Sequence, residues 1–230
     1  MRKLSHLCLI SAFQLFSLSA FSAHLPPLGT WNVYNWQKAG YIPSNADGVG
    51  ELAVFAFPTY GARIPIPAFI TTVSNTALLG DLTGTVLTAT LTISVNSGNP
   101  EFVGTGWNTW NSNGLPSNTR LYISTSSANY DLDAAAANPS NYWWSRDAWT
   151  IISSQTGTVT LTDTFDPSHW SNANGIMASD PSVAAAFQYA ISHVAQTGLA
   201  FGYGSYFDVG CAIKPNTGSA SFHLSGYTAN

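Results

Sequence analysis

The sequence predicts an all-β fold, an antiparallel jelly-roll β-sandwich with one short packed helix, and three observations carry that prediction. Apolar and polar residues alternate with period two in several segments, most clearly over 85–95, where Leu87, Ala89, Leu91, Ile93 and Val95 fall on one side and Thr88, Thr90, Thr92 and Ser94 on the other. Clusters of Asn, Ser, Gly and Pro punctuate the chain between such segments, as at 96–100, 111–114, 138–141 and 214–218. Helical spacing is confined to one stretch, so many short strands joined by turns, closed into two packed sheets, is the architecture that accounts for the pattern.

The remaining elements follow in order. Leu52 to Phe57 and Phe69 to Val73 read as strands, as do Arg120 to Ser124 and Ala148 to Ser153. The alternation returns at 158–165, with Val159, Leu161 and Phe165 inward and Thr158, Thr160, Thr162 and Thr164 outward; Asp163 breaks the inward parity. It returns again at 199–207 and at 219–224, where Ala220, Phe222 and Leu224 alternate with Ser219, Ser221 and His223. The helix is expected from Asp180 as N-cap, with Pro181 at its first position, to about Gln196 before Gly198. Val183, Phe187, Ile191 and Val194 then form one stripe facing the sheet, with His193 off it as a solvated helix-end histidine. Ala134 to Ala137 is a low-complexity tract.

The N-terminus carries Arg2 and Lys3, an uncharged apolar-to-small stretch from Leu7 to Phe21, and small residues around Ala20 to Ala23. That order is the signature of a secretory signal peptide, too short to span a bilayer. The expected organisation is a signal peptide over 1–22 and one β-sandwich domain over 23–230, with His24 the second choice of mature start. Secretion to the exterior or a bacterial periplasm follows, and no second apolar stretch suggests insertion in a membrane.

Charged residues make up 8% of the chain against 45% hydrophobic, and the net charge is −4. Lys38, Arg63, Arg120, Arg146 and Lys214 are scattered singly, so no basic patch is available to bind nucleic acid. With Cys8 in the leader, Cys211 is alone; it reads as a small buried hydrophobe, and the domain as a monomer held by its core without disulfides.

Four features occur in a recognisable order: Leu79, Gly80 and Asp81 leading into the first alternating strand, the Tyr142, Trp143, Trp144, Ser145 block, the segment from Trp170 into the helix with Phe187 and Ile191, and the closing Gly218 to Phe222 pattern. From Leu78 to Tyr227 this order resembles the laminin IV-type (laminin B) domain, within the galactose-binding-like sandwiches. The resemblance implies a jelly roll with binding or adhesive roles and names no ligand.

The eight Trp residues are the sharpest chemical feature. Trp31, Trp149 and Trp170 are expected to fill the core. Trp107 and Trp110 lie among amides and glycines, where an aromatic plane would meet the apolar face of a pyranose ring and neighbouring polar groups its hydroxyls. Trp143 and Trp144 would point to opposite faces of an extended strand, so both are not expected in the core. The candidate site is Trp107, Trp110, Asn118, Arg120, Trp144 and Asp147, with a glycan or polysaccharide as partner and no catalytic residue assigned. A structural or adhesive matrix protein is the second expectation and a polysaccharide-active enzyme the third.

Enzymatic motifs are sparse. Asp131 and Asp133 would share a face if extended, but acidic turn residues equally cap turns or hold a structural calcium ion. Phosphate loops, CxxC pairs and HExxH are absent, and no nucleophile elbow surrounds Ser205. No cofactor is expected beyond such calcium, although an N-terminal His24 with His169 or His223 could bind copper.

Overall fold

The computed structural model describes residues 31–35, 40–42, 52–59, 72–75, 78–104, 115–127, 132–204 and 210–230. The expected leader, His24, Trp36, Trp107 and Trp110 lie outside the described residues. The strands are β1 (Asn32–Asn35), β2 (Gly40–Ile42), β3 (Ala53–Ala56), β4 (Thr72–Asn75), β5 (Val86–Gly98), β6 (Phe102–Gly104), β7 (Ser117–Ser124), β8 (Tyr142–Ile151), β9 (Gly157–Thr164), β10 (Trp170–Asn172), β11 (Gln196–Tyr203), β12 (Cys211–Ile213) and β13 (Gly218–Ala229). Two α-helices accompany them, α1 (Leu132–Ala137) and α2 (Ala184–Ser192), with a 3-10 turn at Pro139–Asn141.

The strands form a seven-stranded sheet in the order β10-β8-β7-β11-β4-β1-β2, a four-stranded sheet in the order β3-β13-β5-β9, and a small β12-β6 pair, antiparallel throughout. The expected all-β sandwich is therefore present. Alternation dictates the four-stranded sheet: on β5, Leu87, Ala89 and Leu91 are buried completely while the threonines between them face outward. Phe222 and Leu224 of β13 join them beneath the inward residues of the larger sheet, Leu121, Ile123, Leu199 and Phe201. Phe222 stacks on Phe55 with centroids 5.0 Å apart and meets Phe201 edge-on at 5.4 Å, which closes the two sheets on one another. Each such fully buried side chain contributes about 1.5–3 kcal/mol through the area it removes from water. At the end of the β5–β13 ladder Gly98 faces Gly218, where a Cβ on Gly218 would lie 2.3 Å from the Ser97 carbonyl oxygen. Only glycine permits that approach.

The larger sheet departs from simple alternation. Every residue of β7 and of β11 is buried, so both of its faces are covered in this region. One face carries the sandwich core; the other carries a second apolar cluster of Tyr122, Tyr142, Trp144 and Ala200 with Ala135 from α1. This corrects the expectation for the Trp pair. Trp143 and Trp144 do point to opposite faces, yet Trp143 is buried in the main core and Trp144 in the second cluster.

Helix α2 corrects a second expectation. It begins at Ala184, because the Asp180 carboxylate accepts hydrogen bonds from the Ser182 N–H and hydroxyl at 2.8 and 2.7 Å and thereby closes a turn rather than capping a helix. The segment at Gln196 opens β11 instead of ending the helix. The apolar stripe is as expected: Val183, Phe187, Ile191 and Val194 are buried, with Phe187 against Trp143 at 4.9 Å and Trp170 at 6.3 Å between centroids. His193 is exposed and stacks on Tyr189. The alanine tract forms most of α1, a second helix the sequence did not predict, and it makes the segment from Leu132 helical rather than extended.

Candidate functional site

The site grows from an irregularity in β8. Trp144 pairs with Tyr122 and Trp149 with Arg120; between those pairs β7 has Leu121 alone while β8 has Ser145, Arg146, Asp147 and Ala148. The extra residues form a wide bulge, the device that re-aims side chains in a ladder. Ser145 holds it: its hydroxyl accepts the Ala148 N–H at 2.8 Å, and its carbonyl oxygen accepts from Arg120 Nη1 at 3.3 Å. The Arg146 N–H is taken by the His169 carbonyl at 2.6 Å.

A polar cluster lies on one side of the bulge. The Ser145 hydroxyl donates to Asp163 Oδ2 in a very short hydrogen bond, and His169 Nδ1 donates to Asp163 Oδ1 at 2.8 Å. His169 Nε2 faces Asp147 Oδ2 at 3.4 Å. Asp163 is nearly enclosed, whereas the His169 and Asp147 side chains are 35% and 62% exposed. The hydrogen bond to Asp163 is the main reason the His169 imidazole is held above its ordinary pKa; burial opposes it, and the charges of Asp163, Asp147 and Asp166 add to it. The inward position of Asp163 on β9 thus has a physical purpose. A carboxylate among apolar neighbours is tolerable because Ser145 and His169, both on or beside the opposite sheet, supply its donors.

Arg120, Asn118 and Trp149 lie on the other side. Arg120 Nη2 donates to Asn118 Oδ1 at 3.1 Å and to the Gly204 carbonyl at 3.3 Å, and Asn118 Nδ2 donates to that same carbonyl at 2.9 Å. The guanidinium lies over the Trp149 ring, 5.8 Å from its centroid, within cation–π range. Burial lowers the Arg120 pKa to about 9, with the Arg146 charge adding to the shift.

The structure therefore places the expected site residues unevenly. Asn118 and Arg120 are strand residues, buried, and bonded to each other; Asp147 is exposed beside them on the bulge, joined through His169 and Asp163 to Ser145, whose carbonyl holds Arg120. Trp144 belongs to the second apolar cluster and presents no open ring face, because α1 and its neighbours cover that side of the sheet. Trp149, expected in the core, is instead 42% exposed, because the bulge re-aims the strand and leaves the ring beyond the covered part of the sheet. Trp170 is in the core as expected, and Trp31 is half-buried against the edge of that core, edge-on to Tyr227 at 5.0 Å. His169 was expected only as a copper ligand together with His24, which lies outside the described residues, and Ser145 was not expected at the site; the broken parity at Asp163 was the signal in the sequence that pointed to this cluster.

The chemistry of this cluster is that of a clasp between the two sheets. Ser145 donates to a carboxylate and not to an imidazole, so it is not activated by His169 as a nucleophile would be. Asp163 already accepts two hydrogen bonds, so of the two carboxylates only Asp147 faces solvent. Among the described residues no group of three or more His, Cys, Asp or Glu side chains is arranged to hold a metal ion, and no helix is long and apolar enough to cross a membrane. No family model, no curated protein and no solved structure matches this chain.

Proposed function

We propose that this is a secreted carbohydrate-binding β-sandwich protein whose ligand stacks on Trp149. The observation that carries this reading is the exposed indole backed by the Arg120 guanidinium, two residues from the exposed Asp147 carboxylate and its partner His169. A pyranose offers an apolar C–H face to such a ring, while its hydroxyls meet an acceptor in the exposed Asp147 carboxylate, which His169 orients. Arg120 and Asn118 serve as the rigid support that holds the ring and the bulge in place. The resemblance to laminin IV-type domains fits a binding or adhesive role, and a sparsely charged chain of net charge −4 without a basic patch fits a neutral polysaccharide better than a polyanion.

The test is a glycan array, with pull-down on insoluble polysaccharides, run with and without calcium. Wild type should be retained on a defined set of glycans, and Trp149→Ala should lose them. Retention of the variant at full strength would sink the assignment of the ligand to this ring.

A further inference from the structure

The outer face of the four-stranded sheet carries a regular array of hydroxyls. Thr88, Thr90 and Thr92 of β5 stand directly across from Thr162, Thr160 and Thr158 of β9, and each pair is hydrogen-bonded hydroxyl to hydroxyl, at 3.3, 3.2 and 2.9 Å. The β5–β9 register runs without a shift, so the three rungs form a true two-dimensional repeat. Neighbouring strands lie about 4.7–4.9 Å apart and same-face residues about 6.6–6.8 Å apart along each strand.

Cross-strand threonine pairs stabilise any sheet. What sheet stability leaves unexplained is the absence of anything else. β9 is the edge strand of its sheet, the position usually guarded by lysine or other charges, yet its outward residues Thr158, Thr160, Thr162 and Thr164 are all exposed and all threonine. No charged and no aromatic side chain occupies the outward positions of β5 from 88 to 94 or of β9 from 158 to 164. The one titratable and aromatic side chain that borders the rungs is His223 of β13, across from Thr92, between the inward Phe222 and Leu224; along the β5–β9 rungs themselves a charged partner has nothing to pair with and a sugar has no ring to stack on. A second copy would find little apolar surface for the core of a stable interface. Each rung, after its internal hydrogen bond, keeps one O–H and its remaining lone pairs for an outside partner.

We infer that this face binds the surface of crystalline water, its hydroxyl rows matching the repeating oxygens of an ice plane. The binding is independent of the Trp149 site, which lies on the other sheet. The purified protein should arrest or shape ice growth in a thermal-hysteresis measurement and inhibit recrystallisation in frozen sucrose. Thr160→Lys, at the middle rung, should abolish both, while Trp149→Ala keeps them. Should Thr160→Lys lower the melting temperature, Thr90→Val, which keeps the shape and removes one hydroxyl, should still reduce the activity. No effect of wild type on ice, or equal activity in folded variants of both threonines, would overturn the inference. So would a concentration-dependent dimer that Thr160→Lys dissociates while ice growth is untouched, since the face would then serve self-association.

Discussion

His169 donates Nδ1–H to Asp163 at 2.8 Å, and this hydrogen bond, beside that of Ser145 to the same carboxylate, joins the two sheets, since Asp163 lies on β9 and His169 directly precedes β10 of the larger sheet. The hydrogen bond from His169 to Asp163 is the main cause that raises the His169 pKa, and the Asp147 charge at the other ring nitrogen adds to it. The folded pKa of His169 is raised above its unfolded value near 6.5, so the stability it confers is fully present below about pH 6.5 and is lost as pH rises through the folded pKa. Melting temperature should accordingly fall across that window in wild type, and His169→Gln should flatten this part of the profile. A wild-type profile rising through the same window would contradict the clasp.

Removing the other partner tests the same link by equilibrium unfolding. Asp163→Ala deprives both the Ser145 hydroxyl and the His169 imidazole of their acceptor at a buried position, and a loss of about 3 kcal/mol is expected in urea. A change within 0.5 kcal/mol, about the size of a neutral surface substitution, would show that the cluster is ornamental.

The three tryptophans of β8 should separate cleanly. Trp143→Ala and Trp144→Ala each empty a buried site, one on either face of the sheet, and each should cost about 3–5 kcal/mol. Trp149→Ala removes a partly exposed ring and should cost about 1 kcal/mol or less, through the lost contact with Arg120. Chemical denaturation of the three variants reads the difference directly.

Much of the fold was legible in the sequence where one face of a strand is wet. β5, β9 and β13 announce themselves because threonine or serine alternates with a buried residue. β7 and β11 did not show their full extent, because burial on both faces removes the alternation: β7 runs from Ser117, not Arg120, and β11 from Gln196, not Leu199. The same double covering misled the assignment of the Trp pair. Single-strand parity gives the direction of Trp143 and Trp144 but not what lies over each face, and the alanines of α1 carry no periodicity from which that cover could be read. Asn118, Arg120 and Asp147 were legible as polar residues near tryptophan. The exposure of Trp149 was not, since it depends on a bulge fixed by Ser145 and by partners distant in sequence.

Cys211 offers an independent check on the core. It is fully buried and free, and burial pushes its thiol up to about 12, so it should resist alkylation in the native state and react only on unfolding. Reducing agent should leave the melting temperature unchanged. Rapid labelling of the folded protein would show that the β12 region opens far more readily than its packing allows.

The binding account rests most heavily on Trp149, and titration calorimetry with a glycan selected on the array tests it most directly. Wild type and Trp149→Ala should melt at similar temperatures, while the variant binds about tenfold more weakly, the loss of one aromatic stacking contact of about 1–1.5 kcal/mol. Equal affinities in the two folded proteins would contradict the account.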